Sequence, residues 1–448
     1  MDDDAVLRRA FELASEHLQG LPERRVGATA GPDELRAALG GELPESGEPP
    51  VEVLERLVGA AEPGLVASPG PRYFGFVVGG ALPVSVGADW MVSTWDQNAA
   101  AQVMSPAVAA VEEVCQGWLL ELLGLPTGAS IGYVTGGQGA NTTCLAAARH
   151  AVLRDAGWDV EEQGLADAPP VEVFVGDDAH ATIFASLRLL GLGASRARRI
   201  PTDDQGRMDP LALAAALGER EGPAIVCAQA GEVNTGAFDF FEPIADACAA
   251  RGAWLHVDGA FGLWARATPR LRALARGAER GDSWATDAHK FLNVPYDLGL
   301  AFVRDPLAHV AAHARNAAYL SRSDVERDPA VFVPEASRRA RAVPVYAALR
   351  TLGRRGVADL VERCCALARQ MAAELDEEPA IRIVNDVVLN QVLVGLAAPE
   401  RTAAAIAAIQ ADGTCWVGGT EWKGAPAIRV SISNWSTTPE DVTRSVAR

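Results

Sequence analysis

The chain has 448 residues, 49% hydrophobic and 22% charged, with 58 acidic against 40 basic side chains and a formal net charge of -18. It is longer than the roughly 250–300 residues at which one core stops growing, so a large domain with a smaller companion is expected. The acidic balance without a long basic run excludes nucleic-acid binding; no apolar run reaches the ~18–20 residues that span a bilayer, and the acidic Met1-Asp2-Asp3-Asp4 start reverses a secretory leader, so a cytoplasmic protein with no membrane partner is expected.

Residues 1–40 carry helical periodicity through Ala5, Leu7, Phe11, Leu13 and Leu18, residues 31–50 read as loop, and 51–65 as another helix. Together they make a helical arm over 1–70. From Pro71 the pattern changes to short apolar runs at 171–175, 224–228, 254–257 and 299–303, with helical stretches such as 210–217 and 243–250 between the first three. Alternating strand and helix predicts an α/β large domain over 71–343, built on a mostly parallel sheet with helices on both faces, and ligands at the carboxyl ends of the strands. Beyond Pro344, helices at 345–352 and 357–375 precede strands at 382–384, 387–394 and 427–432. That order predicts a small α+β domain over 344–448.

Of the 40 basic residues only Lys290 and Lys423 are lysine, so a mechanism that needs an amine has two candidates. Seven cysteines without a C-x-x-C pair read as buried thiols rather than a disulfide or zinc framework. His309 and His313 share a helix face but lack an intervening glutamate, so no metal site is expected.

Four segments carry chemistry. Thr135-Gly136-Gly137-Gln138-Gly139 opens a helix, where backbone N–H groups and the positive helix end suit a phosphate. By itself it reads more readily as a plain helix start. The run Val175-Gly176-Asp177-Asp178-Ala179-His180 delivers a histidine at a strand end. Trp254-Leu255-His256-Val257-Asp258-Gly259-Ala260 ends an apolar strand in a carboxylate followed by small residues that leave room for a flat ring. Asp287-Ala288-His289-Lys290-Phe291 places one lysine among aromatics, where desolvation favours Schiff-base chemistry. Lys423, in Trp422-Lys423-Gly424, reads as ordinary surface.

In this order, glycine loop, strand-end His, strand-end Asp and His-Lys, the chain resembles the fold-type I pyridoxal-phosphate enzymes, and within them the group II amino-acid decarboxylases, similar to aromatic-L-amino-acid, tyrosine and glutamate decarboxylases. Pro71-Arg72-Tyr73-Phe74, Ser105-Pro106-Ala107, Gly236-Ala237-Phe238-Asp239 and Pro334 extend the likeness over more than half the chain. The resemblance implies pyridoxal 5′-phosphate as cofactor, an amino acid as substrate, and a homodimer with active sites at the subunit interface. It makes Lys290 the Schiff-base lysine and Asp258 the partner of the pyridine nitrogen. His180 stacks on the ring with Ala260 on its other face, Gly137, Gln138 and Gly139 hold the phosphate, and His289 and Asn234 lie near the cofactor. Asn234 stands where the family usually has threonine. Phe76 and Val78, with Trp95 and Asn98 from the partner subunit, correspond to substrate-pocket segments.

The mobile catalytic loop departs from the family pattern. Animal and plant aromatic decarboxylases carry a protonating tyrosine there, and the related aldehyde synthases a phenylalanine; residues 321–334 hold no tyrosine, Tyr319 lies just before them and Phe332 within them. The expected reaction is decarboxylation of an L-amino acid to an amine and carbon dioxide. Its alternatives are an aldolase-type carbon–carbon lyase, a decarboxylating aldehyde synthase, and an idle homologue serving as a scaffold. Arg429 in Ile428-Arg429-Val430 stands as either a surface ion pair or a contact to a substrate carboxylate.

Overall fold

The computed structural model describes residues 3–314 and 328–448. Its central sheet has seven strands: β1 Ser130–Val134, β2 Glu172–Gly176, β3 Arg198–Ile200, β4 Ala224–Gln229, β5 Trp254–Asp258, β6 Ser283–Asp287 and β7 Gly299–Val303. They lie in the order β1-β7-β6-β5-β4-β2-β3, parallel throughout except for β7, which runs antiparallel to both neighbours.

Side-chain alternation along a strand sorts the apolar residues into two cores. From β4, Ile225 and Cys227 pack with Cys144, Leu145, Ile183 and Leu187 on one face, while Val226 and Ala228 join Phe241, Ile244 and Trp264 on the other. A sheet covered on both faces needs strands apolar at nearly every position, which is why 224–228 and 299–303 are legible as strands. β1 and β6 are fully buried too, yet Gly132 in one and Ser283, Thr286 and Asp287 in the other interrupt the apolar signal. Gly132 is required by packing, since a Cβ there would meet the Phe332 carbonyl at 2.4 Å.

A second sheet, β8 Ile381–Ile383, β9 Gln391–Leu396, β10 Gly418–Trp422 and β11 Ala425–Ser431, is antiparallel in the order β10-β11-β9-β8. The strand expected over 387–394 begins only at Gln391. Ahead of it Asn385 turns the chain, donating to the Gln391 carbonyl and accepting the Leu393 amide. The helical stretch Ala342–Leu375 is two helices that meet at a kink at Gly353 (φ 59°), in the interval left between the two expected helices. Within the stretch expected to be loop, Pro32–Leu39 forms a helix, with proline at its first turn and the Glu34 side chain accepting the Gly31 amide.

The beginning and end of the described chain are stitched together at Arg72. Its buried guanidinium donates to the carbonyls of Pro22, Arg24 and Thr414 and pairs with Asp441 at 3.2 Å. Among the described residues no helix is long and apolar enough to cross a membrane.

Candidate active site

The carboxyl ends of the parallel strands converge on a cavity of about 230 Å³. β5 delivers Asp258 and β6 delivers Asp287, and the turn after β6 adds His289 and Lys290. The segment after β2 brings His180, which caps the following Ala181–Leu189 helix. Phe76, Phe261 and Tyr296 supply aromatic walls.

Lys290 Nζ lies 3.0 Å from Asp287 Oδ2, and Asp287 Oδ1, buried without a hydrogen-bond partner, is 3.7 Å from His289 Nε2. Burial lowers the pKa of His289 against the opposing pull of Asp287, and its Nδ1 accepts the Leu298 amide. The Tyr296 ring lies 4.2 Å from the His289 ring, and burial pushes its phenol up to about 12.

Asp258 is buried, with Oδ1 accepting the Ala260 amide at 3.2 Å and Oδ2 accepting Asn141 Nδ2 at 3.1 Å. His180 is exposed at the cavity wall, where desolvation by the surrounding protein lowers its pKa; Asp258 opposes that shift and Lys290 and Arg429 reinforce it.

The helix Gly137–Asp155 points its N-terminus at this cavity, and no side chain caps it. Its first-turn N–H groups have no acceptor within the helix, which makes the end an anion site. Gly137 packs against β6, where a Cβ would meet Asp287 Oδ2 at 2.8 Å, and Gly139 packs against Thr135 and Val134 of the approach to the helix.

The structure therefore brings together Lys290, Asp258, His180, Gly137, Gln138, Ala260, His289 and Phe76 around one cavity. Others from the sequence reading lie elsewhere. The Asn234 amide is turned away to Glu232 at 2.9 Å and Thr420 at 2.8 Å, because the buried Glu232 carboxylate needs donors. Val78 packs with Val26, Tyr73 and Trp416, as an apolar side chain does when a core cluster is within reach. Phe332 is buried edge-on against His309, 5.2 Å between ring centroids, so it is core and not an aromatic of the pocket. Trp95 ends a helix at the surface and Asn98 accepts the Arg338 amide, so neither reaches the cavity of its own chain. Tyr319 and residues 321–327 lie outside the described residues. Lys423 is not an ordinary surface lysine: its Nζ is 2.6 Å from Asp178 Oδ2 and 3.0 Å from Thr202 Oγ1, tying the β10–β11 turn to the segment that carries His180.

Five site residues escaped the sequence reading: Asn141, Thr182, Phe261, Asp287 and Tyr296. Only Asp287 left a local signal, a carboxylate three residues before the lysine.

The arrangement fits one cofactor. Pyridoxal phosphate needs an amine for its aldehyde, a carboxylate for its ring nitrogen and free N–H donors for its phosphate, and Lys290, Asp258 and the uncapped helix end supply them around a single cavity. Residues 32–396 match the family model described as the pyridoxal-dependent decarboxylase conserved domain. The chain belongs to the pyridoxal-dependent decarboxylase family. It is 29% identical to an aromatic-L-amino-acid decarboxylase of Bacillus atrophaeus, over 84% of this chain and 78% of that one. It is 30% identical to the acidic amino acid decarboxylase GADL1 of Bos taurus, over 79% and 69%. Its fold is that of mouse CSAD, with a TM-score of 0.91 at 24% identity, covering 99% of this chain and 97% of the other. As a member of this family the chain is a pyridoxal-phosphate-dependent amino-acid decarboxylase.

Proposed function

We propose that this decarboxylase acts on an L-amino acid held between the aromatic walls of the cavity and Arg429, with Lys290, Asp258 and His180 as its catalytic residues. The observation that carries the reading is the convergence of Lys290, the lysine that lines the cavity, with Asp258 and the uncapped Gly137–Asp155 helix. Pyridoxal phosphate supplies an electron sink conjugated with the substrate α-carbon, which lets the carboxyl group leave as carbon dioxide.

The protein's own part is positional and electrostatic. Asp258 would hold a proton at the ring nitrogen, and its two hydrogen bonds from Ala260 and Asn141 keep the carboxylate oriented. Lys290, held by Asp287, would supply the amine for the aldehyde. Gly137, Gln138 and Gly139 would bind the phosphate at the helix end, and His180 and Ala260 would hold the flat ring.

Arg429 is half-buried on β11, where its neighbours Ile428 and Val430 point into the core. Burial lowers its pKa and Glu232 opposes that shift; among the described residues no hydrogen bond or ion pair satisfies its guanidinium. A buried guanidinium without a partner is suited to a carboxylate brought in by the substrate.

The relatives named above act on aromatic and acidic amino acids. Phe76, Phe261 and Tyr296 favour a substrate with an aromatic side chain. We propose further that the enzyme is a cytoplasmic homodimer. Large apolar side chains stand exposed on the N-terminal helices and after them, among them Phe11, Trp95, Val103 and Met104, which suits burial against a second copy that lends Trp95 and Asn98 to the opposite cavity. All seven cysteines are buried free thiols, which suits a reducing compartment.

Product analysis tests the proposal. Reconstituted enzyme is expected to release carbon dioxide and a primary amine in equal amounts from at least one aromatic L-amino acid. Aldehyde and ammonia in place of the amine would replace it with the aldehyde-synthase reading, which the absence of tyrosine from residues 321–334 favours.

A further inference from the structure

A continuous hydrogen-bonded chain runs behind the cavity. Trp254 Nε1 meets Ser283 Oγ at 2.9 Å, Ser283 Oγ meets His256 Nδ1 at 2.9 Å, and His256 Nε2 meets Asn141 Oδ1 at 3.0 Å. Asn141 Nδ2 then reaches both Asp258 Oδ2 at 3.1 Å and Thr182 Oγ1 at 3.2 Å. Thr182 Oγ1 is 2.8 Å from His180 Nδ1, which also accepts the Thr182 main-chain amide at 3.3 Å. Trp254, Ser283, His256, Asn141 and Asp258 are all buried.

The direction of every bond is set from the ends. A carboxylate oxygen only accepts, so Asn141 presents its NH₂ group to Asp258 and its oxygen to His256. His256 must then carry its proton on Nε2, and burial, which pushes its pKa down to about 3, leaves Nδ1 bare to accept from Ser283. Ser283 thereby has its oxygen free for the Trp254 indole N–H, which only donates. The Asp258 end fixes this polarity, the Trp254 end is consistent with it, and each member of the chain is satisfied.

The second Asn141 N–H goes to the Thr182 oxygen. The Thr182 main-chain amide donates to His180 Nδ1, so that nitrogen accepts and the Thr182 hydroxyl proton points at it. That nitrogen faces two donors, the hydroxyl and the main-chain amide, and has to offer a lone pair.

We infer that Asn141, acting through Thr182, is a positioning residue that fixes His180 as the neutral tautomer with its proton on Nε2, so that the imidazole edge facing the cavity is a donor. One amide thus orients two catalytic groups at once, the Asp258 carboxylate and the His180 ring. Protonating His180 requires a hydrogen on Nδ1, against two donors already aimed there, which works in the same direction as burial. The tautomer rests on side chains of this chain alone; that the donor edge serves the substrate rests on the function proposed above.

The test is ¹⁵N NMR of the holoenzyme labelled in histidine, with the His180 signals identified by their loss in His180→Asn. At pH 7 the wild-type ring is expected to show a bare Nδ1 and a protonated Nε2, and Thr182→Ser, which keeps the hydroxyl, is expected to show the same. Thr182→Val is isosteric and sits at the cavity wall, so it is expected to fold, and its His180 is expected to become a mixture of tautomers and to protonate at higher pH. Asn141→Leu is expected to do likewise where it folds. A wild-type ring with its proton on Nδ1, or a Thr182→Val ring that stays wholly Nε2-protonated, overturns the inference. Failure to release carbon dioxide, with the wild-type tautomer as expected, counts against the proposed function alone.

Discussion

Asp287 holds Lys290 at 3.0 Å, and it does so from a position at the end of β6 that is almost wholly shielded from water. A carboxylate buried beside an amine is strongly committed to that partner, because removing one ion strands the other. Asp287→Ala is expected to destabilise the cofactor-free protein by about 3 kcal/mol, the lower end for breaking a buried pair. Thermal unfolding of the cofactor-free variant checks this, and an unchanged midpoint would remove Asp287 from the account of the site.

The two lysines give a direct contrast. Lys290→Ala is expected to abolish the yellow colour of the purified protein and the label left on it by borohydride reduction. Lys423→Ala is expected to keep both, since its pair with Asp178 is partly exposed and such pairs contribute roughly 0.2–1 kcal/mol. Borohydride labelling followed by peptide mapping reads the outcome.

His256 sets a pH dependence. The unfolded ring takes a proton below about pH 6.5, whereas the folded ring resists protonation down to about 3. Its contribution to stability is therefore complete above ~6.5 and is lost as the pH falls, at about 1.4 kcal/mol per pH unit. His256→Gln lacks this term, so between pH 6.5 and 4 the variant is expected to lose less stability than the wild type by that slope. Urea unfolding at several pH values gives the comparison; parallel curves would mean that the ring is not held neutral.

Arg429→Gln tests the carboxylate contact. A hydrogen bond to a charged group contributes about 1.5–3 kcal/mol, so KM is expected to rise on the order of tenfold or more. Colour and fold should be retained, because no other described residue hydrogen-bonds or ion-pairs with the guanidinium. A change confined to kcat would assign Arg429 to a different step.

The legible part of the site lay in contiguous segments. Lys290, Asp258 and the Gly137-Gln138-Gly139 turn each sit where a strand ends or a helix begins, and both events leave a mark within a few residues. Asn141 and Thr182 left none: a helical Asn becomes part of the site only when its helix packs on β5, 117 residues away in sequence, and a helical Thr only when its own helix packs on that one. Phe332 failed for the opposite reason. Its run Ala330-Val331-Phe332-Val333 is apolar, and apolar runs are drawn into the core. Arg429 shows the limit of a strand read without its neighbours, since only the burial of Ile428 and Val430 tells which way it faces. In the fold, β10 was missed because Gly418-Gly419-Thr420-Glu421-Trp422 pairs on one side only, with β11, and so needs no apolar alternation.

The stitching at Arg72 bears on how the molecule is made. Residues 72–74 bond to Thr414, Trp416, Ser431 and Asp441, whereas every catalytic side chain proposed here except Arg429 lies between those two groups in sequence. Contacts so distant along the chain close late, after the loop entropy between them has been overcome. A nascent chain just past Lys290 thus carries the lysine, both aspartates and the phosphate loop while Thr414, Trp416, Ser431 and Asp441 are still to be synthesised. A chain cut short before residue 414 would therefore carry those catalytic groups without the contacts that hold Arg72 in place.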